Sequence, residues 1–310
     1  MQVLKTALAH VLDVAFSPDC RAVAAAVAGA GVFLWNLDSP NIAPVRLDAG
    51  DDDLEIYQPG GLTFSADGRR LAWLTATGRR TYDRDTRTAT TAAYPLPAHG
   101  TYHCLDASGE RTVTNHSFPD FCLSGWHRVE ADWVRRWQLS TRALSVGSLK
   151  LDPTGDRFAM LTRPTEGARW WEQRMRLEVR DAATAALLSE GPYPYSYAAP
   201  LYFHPGGLQV AGTNGMTLLV WPLPDGGDPR LVRNPDSRKH FTALAYHPSG
   251  DRLFVTSNDE TVHVFDAQSL ARTTRYTWQI GELSAVAVSP DGTLAAAGSA
   301  SGDVVVWDLD

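Results

Sequence analysis

Seven times along the chain a four-residue turn of the Ser-Pro-Asp-Gly type is followed by an apolar run and then by Trp-Asp or a degenerate form of it. The turns are Ser17-Pro18-Asp19-Cys20, Ser65-Ala66-Asp67-Gly68, Asp106-Ala107-Ser108-Gly109, Asp152-Pro153-Thr154-Gly155, His204-Pro205-Gly206-Gly207, His247-Pro248-Ser249-Gly250 and Ser289-Pro290-Asp291-Gly292. Their second residues lie 48, 41, 46, 52, 43 and 42 positions apart. Downstream stand Trp35-Asn36, Tyr82-Asp83, Trp137-Gln138, Arg180-Asp181, Trp221-Pro222, Phe265-Asp266 and Trp307-Asp308. Before each turn comes Phe16, Phe64, Leu105, Leu151, Phe203, Tyr246 or Val288. Two positions earlier stand Val14, Leu62, His103, Leu149, Leu201, Leu244 and Val286. That period of two belongs to strands. A unit of this length cannot bury an apolar face alone, so the copies must stack on one another.

These residues resemble the WD-repeat family, and the resemblance covers the whole chain. The match is strongest from Ser289-Pro290-Asp291-Gly292 to Val306-Trp307-Asp308 and weakest in repeats three and four, which are placed mainly by register. The resemblance implies an all-β fold, a seven-bladed β-propeller of four-stranded blades, with strands a to d running outward in each blade. One domain is expected over 1–310. The chain stops at Asp310, just after strand c of blade seven. Gln2 to Leu8 is therefore expected to supply the missing strand d and to cover an edge that would otherwise invite aggregation.

The interval from the second turn residue to the Trp-Asp position is 17, 16, 30, 27, 16, 17 and 17 in blades one to seven. Blades three and four are thus longer, and the extra length is read as insertions between strands b and c, at 117–132 and 164–173. In the family, b–c loops and d–a loops emerge on one face. The insertions carry Phe118, Phe121, Trp126 and the flanking Trp133, then Trp170 and Trp171, and the following d–a loop carries Tyr193, Tyr195 and Tyr197. These nine aromatics are the candidate partner-binding residues, since long loops on a rigid scaffold hold function and aromatic side chains anchor interfaces. The alternative is that the rings pack on each other and only cap the propeller.

Two further clusters have simpler explanations. Asp51, Asp52, Asp53 and Glu55, with Tyr57, lack the alternating ligands and bend glycine of a calcium loop and read as a solvated acidic loop. His99, His103, Cys104, His116, Cys122 and His127 gather around blade three without a zinc-ligand spacing, and His103 sits at an apolar strand-a position. No metal and no cofactor are expected. His204 and His247 stand where other blades have Ser and are turn residues by register. The buried His, Asp, Ser and Trp network that the resemblance implies is poorly kept, with Ala297 and Ala300 at two of its positions in blade seven.

The 310 residues are 44% hydrophobic with a net charge of −7, and Lys and Arg form no run, which argues against nucleic acid as a partner. Lys occurs only at Lys5, Lys150 and Lys239, an Arg and Ala bias typical of GC-rich, bacterial coding sequence. Three cysteines without Cys-x-x-Cys spacing argue for reduced thiols. No segment approaches the apolar length of a membrane span, and the N-terminus lacks a secretory signal pattern, so no membrane partner and a cytoplasmic location are expected.

Two function classes remain. The resemblance implies a non-catalytic interaction scaffold for a protein or peptide partner. The alternatives are a propeller binding a small molecule or carbohydrate on the aromatic loops, and a metal-dependent propeller hydrolase. The hydrolase needs carboxylates or imidazoles converging from strands a, which supply only Asp13 and His103, and no nucleophile elbow, phosphate loop or His-Glu-x-x-His helix is present.

Overall fold

The computed structural model describes residues 1–6, 9–39, 43–47, 61–75, 78–92, 94–95, 100–106, 108–116, 121–130, 132–142, 144–164, 174–195, 198–224, 227–234 and 239–309. These form seven four-stranded antiparallel sheets, a seven-bladed β-propeller, with no helix among the described residues. Two compact units divide the chain: 1–93 with 234–310, and 94–233.

The first unit begins with β1 (Gln2–Lys5), followed by blade one, β2 (Val11–Phe16), β3 (Ala22–Val27), β4 (Gly31–Asn36) and β5 (Val45–Arg46). Blade two is β6 (Thr63–Phe64), β7 (Arg70–Thr75), β8 (Gly78–Asp83) and β9 (Thr88–Ala92). The second unit holds blade three, β10 (Gly100–Leu105), β11 (Arg111–His116), β12 (Cys122–Val129) and β13 (Asp132–Ser140). Blade four is β14 (Leu144–Leu151), β15 (Arg157–Pro164), β16 (Arg176–Asp181) and β17 (Leu187–Pro192), and blade five is β18 (Leu201–Phe203), β19 (Gln209–Asn214), β20 (Thr217–Pro222) and β21 (Arg230–Arg233). The chain then returns to the first unit with blade six, β22 (Phe241–Tyr246), β23 (Arg252–Ser257), β24 (Thr261–Asp266) and β25 (Arg272–Thr277), and with β26 (Leu283–Val288), β27 (Leu294–Ser299) and β28 (Asp303–Asp308) of blade seven.

The second strand of each blade lies between sheet neighbours and is packed on both faces. In blade one it therefore reads as an unbroken small or apolar run rather than an alternating one. Ala22-Val23-Ala24-Ala25-Ala26-Val27 of β3 is buried along its whole length, while the outer β9 is exposed throughout. In the first unit Val11, Val14 and Trp35 of blade one pack on Ala285, Val304 and Val306 of blade seven. In the second, Val113 and Leu123 of blade three pack on Leu149, Phe158 and Met160 of blade four.

As expected, blade seven takes its outer strand from the start of the chain: β1 pairs antiparallel with β28, Gln2 opposite Val306 and Lys5 opposite Asp303. Thr6 extends the seam, its amide and hydroxyl both donating to the Gly302 carbonyl. Leu4 is the inward-facing residue of β1, 5% exposed.

All seven a–b turns have one design. The amide of the fourth residue donates to the carbonyl of the first, and that fourth residue is left-handed: Cys20, Gly68, Gly109, Gly155, Gly207, Gly250 and Gly292 have φ between 57° and 80°. Only a residue tolerant of positive φ closes such a hairpin without strain. The first side chain latches the start of strand b. Ser17, Ser65 and Ser289 hydroxyls accept from the Ala22, Arg70 and Leu294 amides, and the Asp106 and Asp152 carboxylates from Arg111 and Arg157. His204 instead braces the turn itself, Nδ1 accepting from the Gly206 amide at 2.9 Å.

Turns are also hooked blade to blade. Arg111 donates to the Gly155 carbonyl at 3.0 Å, Arg157 to that of Gly207 at 3.3 Å, and His247 Nε2 lies 3.1 Å from that of Gly292. A Cβ on Gly207 would stand 2.0 Å from Arg157 Nη2.

Blade three departs from the sequence reading. In six blades the expected Trp-Asp pair ends strand c, its second residue opposite the first residue of strand b. In blade three the residue opposite Arg111 is His127, so the pair is Trp126-His127, 19 positions after Ala107, and Trp137 lies on the outer β13. The 117–132 insertion is therefore mostly strand c and the c–d hairpin, and only 117–121 joins β11 to β12. Trp137 matches the family position only in spacing: Trp221 of blade five packs on the preceding blade, whereas Trp137 packs on the following one. Its indole crosses the bare backbone of Gly125, where a Cβ would lie 2.2 Å from the ring, and stacks on Phe158 of blade four at 5.7 Å. Its Nε1 donates to the Ala182 carbonyl at 2.8 Å.

Two outcomes test this account. Leu4→Ala is expected to cost about 2–4 kcal/mol in denaturant unfolding, whereas a change within about 0.5 kcal/mol would show that β1 does not hold blade seven. Gly207→Ala and Gly215→Ala both place a Cβ at positive φ, costing about 1 kcal/mol each, but Gly215 has open space. Gly207→Ala is expected to cost about 1 kcal/mol more, because Arg157 loses the Gly207 carbonyl; equal losses would refute the hook.

Candidate functional site

The antiparallel pairing of blade three fixes two ends. The b–c connection leaves from His116 and enters at Cys122, which pair with each other, while the a–b turn meets the c–d hairpin where Arg111 faces His127 and Val129 faces Asp132. The described candidate aromatics divide between these ends. Phe121 stands at the b–c end, 37% exposed at a φ of 43°, with its carbonyl accepting from the Thr141 amide at 2.7 Å. Tyr193 and Tyr195 follow β17 at the corresponding d–a end of blade four. Trp126 and Trp133 lie at the other end, on β12 and β13. They do not join an aromatic crescent with Phe121, Tyr193 and Tyr195, because the residues expected to be loop are strand. Phe118, Trp170, Trp171 and Tyr197, like the acidic stretch at 51–57 and His99, lie outside the described residues.

Tyr193 is a correction of a different kind. It is fully buried, stacked on Trp221 with ring centroids 5.8 Å apart and edge-on to Tyr195. Its hydroxyl accepts from Asn214 Nδ2 at 2.7 Å, and burial pushes the phenol up to about 12. Tyr195 is half-buried against the same cluster and donates to Thr217 Oγ1 at 2.9 Å. The Pro-Tyr-Pro-Tyr run is thus a strut joining blade four to blade five, and Tyr193 is no surface anchor. Trp126 and Trp133 are half-buried: Trp126 Nε1 donates to Thr114 Oγ1 at 2.9 Å under the Arg135 guanidinium, and Trp133 meets Tyr94 edge-on at 5.4 Å.

Asp13 is 4% exposed, its Oδ2 accepting from the Leu62 amide of blade two at 2.9 Å and its Oδ1 from Val14, so it ties strand a of blade one to the entry of blade two. Burial pushes the Cys104 thiol up to about 12, which keeps it protonated. Among the described residues no three of His, Cys, Asp and Glu stand close enough to share a metal ion.

Sequence reasoning missed the surface between blades three and four at the a–b end. There Arg111 Nη1 pairs with Asp156 at 2.8 Å beside Trp126, His127, Arg136 and Asp181. The signal that points to it is Gly125, an unexplained glycine one position before the true strand-c tryptophan.

The WD domain, G-beta repeat family model matches residues 234–266 and 275–308. The first segment runs through β22, β23 and β24 of blade six, and the second from the end of β25 through blade seven. The chain is thus a seven-bladed β-propeller in which these two segments match the WD repeat. No curated protein matches it.

If Tyr193 is a strut, Tyr193→Ala is expected to cost about 3–5 kcal/mol, in the range of large aromatic truncations in cores, read as a fall in Tm. Loss below about 1 kcal/mol would return Tyr193 to the candidate surface.

Proposed function

We propose that the protein is a non-catalytic cytoplasmic scaffold that presents protein or peptide partners with loops at the b–c and d–a end of blades three to five. The observation that carries this reading is the WD repeat itself, matched in blades six and seven, since such repeats generally mediate protein interactions. Fold alone does not assign an activity, so the reading also draws on the surface. Phe121 is the described candidate that is exposed at that end, with its carbonyl fixed by the start of the next connection. The sequence adds Phe118, Trp170, Trp171 and Tyr197 as candidates, while Tyr193 belongs to the buried scaffold.

Co-purification with the tagged full chain, quantified by mass spectrometry, is the test. A stoichiometric protein partner is expected with the wild type, and Phe121→Ala combined with Trp170→Ala and Trp171→Ala is expected to weaken it about thirtyfold or more, as loss of anchor aromatics does. Unchanged recovery overturns the surface, and failure to recover any stoichiometric partner overturns the scaffold. Stoichiometric zinc or calcium in protein purified without added metal would favour the hydrolase alternative instead.

A further inference from the structure

Every blade ends in an outer strand with no neighbour on its far side in the sheet, and such edges invite pairing with another chain. Six of the seven outer strands carry a device that blocks it. β5 has only two residues. β1 and β21 have four each, with Lys5 on the first and Arg230 and Arg233 on the second. β13 carries Asp132, Arg135 and Arg136, and a register shift leaves Arg136 as an extra residue, since Gly125 faces Trp137 and Trp126 faces Arg135. β17 carries Glu190, ends at Pro192 and is also shifted, and β25 carries Arg272, Arg275 and a shift of its own. Charge, proline and bulges are the means by which edges are kept from pairing.

β9 of blade two, Thr88-Ala89-Thr90-Thr91-Ala92, has none of them. It holds no charge and no proline, and all five residues are exposed. It pairs with β8 without a shift, from Arg79 opposite Ala92 to Asp83 opposite Thr88. Antiparallel pairs alternate between those that exchange hydrogen bonds and those that do not, so two or three of the five residues turn both backbone groups away from β8. Three β-branched threonines favour the extended backbone that a further strand would pair with.

The side chains select the occupant. β9 has no charge and no large apolar group on either face, so a foreign strand would meet little but backbone. A second copy meets its own complement. Placed antiparallel about a two-fold axis through Thr90, each copy sets Thr90 opposite Thr90, Ala89 opposite Thr91 and Thr88 opposite Ala92, every pair small and on one face. Thr81 of β8 lies opposite Thr90, so the central row becomes four threonines long across the joined sheets. Thr–Thr pairs across antiparallel strands are favourable, and an isologous contact makes each bond twice. We infer that β9 is a self-association edge, through which two copies of this chain join their second blades into one continuous sheet. Five residues span about 17 Å, too little to bury the roughly 800 Å² per partner of a standard interface, so the dimer is weak and depends on concentration.

Sedimentation equilibrium of the full chain is the test, and a monomer–dimer equilibrium with a Kd on the order of 100 µM is expected. Thr90→Lys and Thr90→Glu each set like charges face to face across the axis. Each is expected to weaken dimerisation about tenfold or more while melting like the wild type, because the position is exposed. Mixed in equal amounts, the two variants are expected to pair again as a heterodimer, since opposite charges then meet. Thr274→Lys on the exposed β25 is expected to leave dimerisation unchanged. A chain that stays monomeric up to about 1 mM, a dimer that Thr90→Lys leaves intact, or a mixture of the two Thr90 variants that stays monomeric overturns the pairing.

Discussion

No blade of this protein is stable alone, because its inner strands are apolar on both faces. An isolated four-stranded sheet would leave Val23 and Trp73, both essentially buried here, in water on one side or the other. Burial of such side chains contributes about 1.5–3 kcal/mol each, so association between neighbouring blades supplies a stability that hydrogen bonds within a blade cannot. Every other feature serves this stacking. The β1–β28 seam provides the last blade with its outer strand, and the d strands carry the polar surface because they have no second sheet to cover.

Stacking of similar sheets leaves rotation and slip to be fixed, and the a–b turns do that. A left-handed residue at the fourth position leaves the turn carbonyl facing outward toward the neighbouring blade, where Arg111, Arg157 and His247 reach the carbonyls of Gly155, Gly207 and Gly292. Each contact is worth little alone. Repeated from one blade to the next, they align the turn ends while the apolar faces set the distance. His204 and His247 show that the first turn position needs an acceptor near the backbone rather than a serine as such.

The fold was legible because its signals are local and repeated: all seven strand-a ends and all seven turns lie where spacing puts them, and six of seven Trp-Asp positions do too. Blade three failed where two tryptophans, each followed by a polar residue, competed within one repeat. Spacing favoured neither strongly, and only strand pairing separates Trp126 on β12 from Trp137 on β13. The candidate site was less legible because burial is a property of the assembled blades. Tyr193 and Tyr195 look alike in an exposed-sounding Pro-Tyr run, yet the ring of Tyr193 is enclosed by Trp221, a residue 28 positions away in the next blade. Arg136 was invisible for a related reason: a bulge, not the alternation of a regular strand, decides which way it faces.

Trp137 has a consequence for how this chain can change over time. In blades one, five and seven the strand-c tryptophan, Trp35, Trp221 or Trp307, is at most 4% exposed and fixed by packing. In blade three their counterpart Trp126 is half-buried, and the outer-strand Trp137 packs instead on the following blade, across a Gly125 that must stay bare. Positions 125 and 137 are thereby bound to each other, so a side chain gained at one is tolerated only if the ring is lost at the other. Position 126 has been released from the constraint that holds its counterparts, and it is free to diversify at the surface while the blade beneath it keeps its shape.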